Sequence, residues 1–211
     1  MTHSDQPNNN EISGRIMNNT AVHEAAHFII YLLNCEEDLK LPWVMGLTIV
    51  GSKYHGQIIV KRDSFPEWVS EHLRSDLPED NKMAEIARAK REIKSLLAGL
   101  AGEIVNMRCP NNCERVLLRV YRIEKKYNNS DLNQAIAFNV AIGGQKPEEG
   151  VLPLLTYLEE AVRDVSTYWN EITEIAELLE VHKEIVGERL EDLTDKMSDR
   201  IRTKIIASCQ Q

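Results

Sequence analysis

No apolar run in this 211-residue chain approaches the length of a membrane-spanning helix, which takes roughly 18–20 consecutive apolar residues. No span is expected. Positive charge is also short: 25 Lys and Arg stand against 33 Asp and Glu, a net charge of −8. Nucleic-acid backbones are gripped by clustered Lys and Arg, so that class of partner is not expected either. The stretch MTHSDQPNNNEIS has no apolar core of the kind a secretory signal needs, and residues 1–13 read as a polar disordered tail. Cysteine is too sparse for a disulfide framework: Cys35, Cys109, Cys113 and Cys209. With no signal, the expected compartment is a reducing cytoplasm. Cys109 and Cys113 form the one close pair; lacking a second matching pair to complete a metal site, they are expected as free thiols in a Pro/Asn loop. No internal repeat and no G-x-x-x-x-G-K-[ST] loop occurs, so the chain carries no ATPase of its own. What remains, with 43% apolar and 27% charged residues, is a globular protein large enough to bury a core.

One stretch carries chemistry. His23-Glu24-Ala25-Ala26-His27 spells H-E-x-x-H, and each fixed letter has its own task. Residues four apart on an α-helix share a face, so both imidazoles can close on one divalent metal, for which zinc is the usual occupant. Glu24 points about 100° round the helix, too far for an easy third ligand but placed to take a proton from a water. Six His in the chain make a chance match uncommon, and Val22, Ala26, Ile29, Ile30 and Leu33 give the motif a helical apolar spacing. That helix is expected over about 14–33, with Asn34 as its stop.

Apolar spacing organises the rest. Two strand-like stretches, 45–50 and 54–61, flank Gly51-Ser52-Lys53 and suggest a hairpin. Residues 63–80 read as a long surface loop anchored by Trp68. A helix is expected over 81–107, and its apolar stripe contains one misfit, Glu103. A carboxylate there needs a partner, which points to a supporting role beside the metal site. Gly99 and Gly102 strip bulk from the same helix and invite another to approach closely. A basic amphipathic helix over 114–127 reads as a solvated face with one apolar side. Ser130 and Asp131 then open a helix over 132–142 that Gly143 and Gly144 end. Residues 150–208 predict two long antiparallel helices turning near 182–187. The expected fold is mainly α with a small β-hairpin, a single domain over 14–208 made of a core (14–142) and a C-terminal helical pair (150–208).

A catalytic zinc takes three protein ligands, and the sequence has no third His or Glu at the short spacings of the extended zincin patterns. His55 is one open candidate. Asp131, at a helix start and flanked by short polar residues, is another, although an Asp in that position is most often a cap.

Three stretches, in order, resemble the peptidase domain of the FtsH family of AAA zinc proteases. TAVHEAAHFII resembles the family's H-E-A-G-H helix, LLAGLAGEIV its L-G-G-R-A-A-E-E helix, and NNSDLNQAIAFNVA its A-S-N-D-L-x-x-A-T segment. The resemblance covers most of residues 14–195. It implies His23, His27 and Asp131 as zinc ligands, Glu24 as base, and Glu103 at an acidic family position. Ala26 replaces the family's Gly, and the stretch from Glu103 to Asp131 is longer than the family pattern. The expectation is a stand-alone zinc endopeptidase cutting unfolded polypeptides, which add as a strand along the edge near Tyr54, His55, Gly56, Gln57 and Ile58. The resemblance also implies a homo-oligomer, with a hexamer as one form, and leaves room for a partner ATPase. The rival reading is a non-catalytic binding or adaptor protein that keeps the peptidase fold.

Overall fold

Helix α1 (Asn19–Glu37) is apolar on almost every side, and a helix of that kind has to be surrounded. In the computed structural model, which describes residues 17–37, 44–49, 57–60, 79–124, 130–143 and 151–210, it is. Ala21, Val22, Ala25, Ala26, Phe28, Ile29, Ile30 and Leu32 have no exposed surface. Helix α2 (Glu79–Asn106) lies along one side of α1. Beyond a short 3-10 turn come α3 (Cys113–Glu124), α4 (Asp131–Ala141), α5 (Leu155–Thr167), α6 (Trp169–His182) and α7 (Glu188–Ser208). Helices α4 and α5 pack on α2, while α6 and α7 close over α1. The buried residues of these helices form one continuous apolar cluster.

Strands β1 (Val44–Thr48), β2 (Gln57–Val60) and β3 (Glu184–Ile185) make a small antiparallel sheet in the order β2-β1-β3. The register pairs Thr48 with Gln57 and, on the other side, Leu47 with Ile185, with an irregularity between Val44 and Gly46. The protein is therefore mainly α with a small sheet, as the spacing predicts. Among the described residues, no helix is long and apolar enough to cross a membrane.

Several boundaries differ from the sequence expectation for physical reasons. Helix α1 begins at Asn19, where the Asn18 side chain accepts from the Thr20 N–H at 2.9 Å and caps it. It runs on past Asn34 to Glu37, because Asn34 turns inward and donates to the Arg91 carbonyl at 3.3 Å. The first of the two expected C-terminal helices breaks at Tyr168, whose buried ring lies under the Lys204 ammonium at 5.0 Å. The turn after His182 comes where expected. Lys183, at φ 65°, caps α6, and the two residues of β3 join the sheet before Gly187 opens α7.

The apolar stripes of α5, α6 and α7 are covered within the chain: Leu158, Val165, Ile172, Ile175, Leu193 and Met197 are all buried. Residues 1–16, 50–56 and 61–78 lie outside the described part. With them go the polar tail, the turn at Gly51, the Trp68 loop, and Tyr54, His55 and Gly56 of the expected edge strand.

Candidate functional site

Polar side chains interrupt the apolar surface of α1, among them the buried Glu24 and His27 and the partly buried His23. Buried polar groups require partners, and those of the two histidines come from other elements. His27, 4% exposed, places Nδ1 2.8 Å from the Ser95 carbonyl of α2. A carbonyl only accepts, so Nδ1 carries the hydrogen and the neutral ring is left with a lone pair on Nε2. His23 Nδ1 lies 2.8 Å from Glu103 Oε1, also on α2, and a carboxylate fixes the same tautomer. Both Nε2 lone pairs then face one point.

Asp131 reaches that point from α4. Ser130 caps the helix, its hydroxyl accepting from the Asn133 N–H, and this places Asp131 in the first turn. Its Oδ2 lies 3.1 Å from His27 Nε2 and 3.6 Å from His23 Nε2, and the two nitrogens are 3.1 Å apart. Three acceptors thus converge with no donor among them. Ligands at about 2.0–2.1 Å on a tetrahedral zinc stand roughly 3.3–3.4 Å from one another, and the three distances bracket that spacing. The donor set and the geometry fit a divalent cation, with the imidazoles oriented by a carboxylate and a carbonyl behind them.

Without a cation, a proton is what reconciles these groups. Burial opposes charge on His23, but hydrogen bonds to Asp131 and Glu103 outweigh it and push its pKa up to about 10. Burial likewise opposes the Asp131 carboxylate, and the facing His27 and His23 hold its pKa well below the usual range. Glu24 is 5% exposed, and its negative charge adds to the pull on the His23 proton.

The two glycines of α2 make room for this arrangement. A Cβ on Gly99 would stand 2.3 Å from His23 Nε2, inside the ring's own space. One on Gly102 would stand 2.9 Å from the Ala26 Cβ and 3.1 Å from the Val22 carbonyl. Ala26, the letter that departs from the family's H-E-A-G-H, is thus accommodated by a glycine across the helix pair.

Of the residues singled out from sequence, His23, His27, Asp131 and Glu103 are brought together, with Glu24 beside them. Gln57 and Ile58 lie on β2, an outer strand of the sheet among the described residues, while Tyr54, His55 and Gly56 fall outside them. Cys109 and Cys113 are free thiols, each directed at a backbone carbonyl. Sequence reasoning passed over Glu124 of α3. Burial, together with the Asp131 charge, pushes its pKa up despite a hydrogen bond to Ser130, and the His23 and Glu103 charges also reach it. The concavity on the opposite face of α3, lined by Glu114, Arg115, Leu118, Arg119 and Arg122, takes no part in the site.

No protein-family model matches the chain, and no curated protein matches it.

Proposed function

We propose that the protein is a zinc-dependent peptidase in which His23, His27 and Asp131 hold the metal and Glu24 is the general base. The observation that carries this reading is the convergence of two Nε2 lone pairs and one carboxylate oxygen at zinc-ligand spacing. The resemblance to the FtsH-type peptidase domain supports it, since it assigns the same four residues. When bound, the metal supplies a Lewis acid that polarises a scissile carbonyl and makes water a better nucleophile.

The chain's own residues do the rest. Glu103 and the Ser95 carbonyl hold the imidazoles in the required tautomer. Glu24, adjacent to one ligand and nearly buried, accepts the proton of the attacking water and returns it to the leaving amine. Asp131 balances one positive charge. An extended polypeptide pairs along the outer edge of β2, which favours unfolded substrates over folded ones.

Metal analysis and a cleavage assay test the reading together. Wild type is expected to hold about one zinc and to cut unfolded casein; Asp131→Ala loses the zinc. Glu24→Gln keeps the zinc while cleavage drops by about 10²–10⁴-fold, because an amide cannot take the proton. Zinc bound with no cleavage by wild type would favour a binding module. Full zinc in Asp131→Ala would remove Asp131 from the ligand set.

A further inference from the structure

The three ligands are not supported alike. The imidazoles of His23 and His27 rest on Glu103 and on the Ser95 carbonyl of α2. Among the described residues, the hydrogen bonds and ion pairs of the Asp131 carboxylate go only to those same two imidazoles. Its placement therefore falls to the first turn of α4. Leu132, Ala135, Ile136, Phe138 and Asn139 turn one side of that helix into the core, and packing against α2 fixes it broadly. At about 100° per residue, Asn133 stands about 200° round the axis from Asp131 and outside that buried side. A helix packed on one side can still rock, whereas a metal ligand has to be held to within about 0.5 Å.

Asn133 holds the far flank. Its N–H donates to the Ser130 hydroxyl at 3.3 Å, and the Gln134 N–H donates to the Ser130 carbonyl at 3.0 Å, which closes the turn. The Asn133 side-chain amide leaves the helix and donates to the Glu124 carbonyl of α3 at 3.0 Å, in a partly buried position. Helix α3 is itself seated: Cys113 is 5% exposed, Leu117 is fully buried, and the helix packs on α5. It lies within the stretch, between Glu103 and Asp131, that is longer than the family pattern. One amide thus joins the turn that carries a metal ligand to a helix that carries none.

We propose that Asn133 is a positioning residue for the metal centre: by tethering α4 to α3 it sets the Asp131 carboxylate against the two imidazoles, and α3 is the brace from which it works. The proposal rests on the metallopeptidase reading, whose ligand set it uses.

Zinc affinity tests it, measured on the metal-free full chain by competition with a chromophoric chelator. Asn133→Leu has nearly the shape of Asn but no donor. It is expected to weaken zinc binding by about 10–100-fold, the effect of losing a group that orients a ligand, with the far-UV dichroism unchanged. A second arm separates positioning from a general loosening of the fold. In an Asp131→Ala background, titrated at higher zinc for the weak binding that the histidine pair retains, the same substitution is expected to change affinity by less than about twofold, since no carboxylate is left to place. Should Asn133→Leu not fold, Asn133→Ala removes the donor without the bulk. Wild-type affinity in a folded variant lacking the amide would overturn the proposal and leave the peptidase reading standing, and so would an equal loss in both backgrounds. Wild type that binds no zinc would take down the metal reading, and this inference with it.

Discussion

His23 is the residue on which the chemistry of the site turns, because its proton and a metal compete for the same nitrogen. Asp131 and Glu103 hold that proton up to about pH 10, against 6.5 for an ordinary histidine. The folded metal-free form therefore binds the proton more tightly than the unfolded chain does. The resulting stabilisation is complete below pH 6.5, is lost as pH rises toward 10, and is softened by solvent since the side chain is 27% exposed. A metal entering at pH 8 has to expel the proton. Zinc titrations in buffers of differing ionisation enthalpy are expected to show about one proton released per zinc; binding without release would mean that His23 was already neutral. At this scale the sequence was readable where partners sit close along the chain. The two histidines and Glu24 declare themselves by spacing. Glu103 shows as a charge on an apolar stripe. Glu124 obeys the same rule, two turns after Leu117, yet it was hidden in a helix read as a solvated basic face. Asp131 could not be told from a simple cap without its partners across the fold.

The pair α1 and α2 is held at close range by Gly102 against Ala26. Gly102→Ala would add a Cβ 2.9 Å from the Ala26 Cβ and 3.1 Å from the Val22 carbonyl, and the backbone oxygen cannot rotate away. We expect it to cost about 1–3 kcal/mol, typical of overpacking, and to loosen zinc binding by shifting the helix that bears His23 and His27. Ala26→Gly on the same chain should recover part of that loss, leaving the clash with the Val22 carbonyl. Chemical denaturation of the two single variants and the double measures the coupling, and strictly additive effects would show that the two residues do not meet. The existence of the helices was legible from apolar spacing, since burial follows one face or, in α1, all faces. Their ends were less so. Asn34 looks like a stop in the sequence and is instead a buried donor, and the break at Tyr168 depends on a ring packed against α7. Strand β3 was not legible at all: two residues carry no periodicity, and their pairing lies with β1, far back in the chain.

Across the whole molecule, β3 and the helices on either side of it draw the last third of the chain onto its first helix. Ile185 is 1% exposed while its neighbours Glu184 and Val186 face solvent. Ile185→Ala is expected to cost about 2–5 kcal/mol in urea denaturation, as a core residue does; a loss within the error of the measurement would mean that the turn is not anchored to the sheet. The buried apolar stripes of the C-terminal helices find the partners that cover them on other helices of the same chain. That closure also has a consequence for synthesis. Helix α1 is the first of the described helices to be made, and the helices α6 and α7 that cover it are the last. At about 5–20 residues per second, a ribosome needs on the order of ten seconds to travel between them. For that interval a helix rich in Ile, Leu and Phe has no lid, and the two histidines have no Asp131 until α4 emerges. The nascent chain therefore carries this apolar surface uncovered on the side of α6 and α7 until the end of the described chain is made, and in that interval aggregation competes with folding.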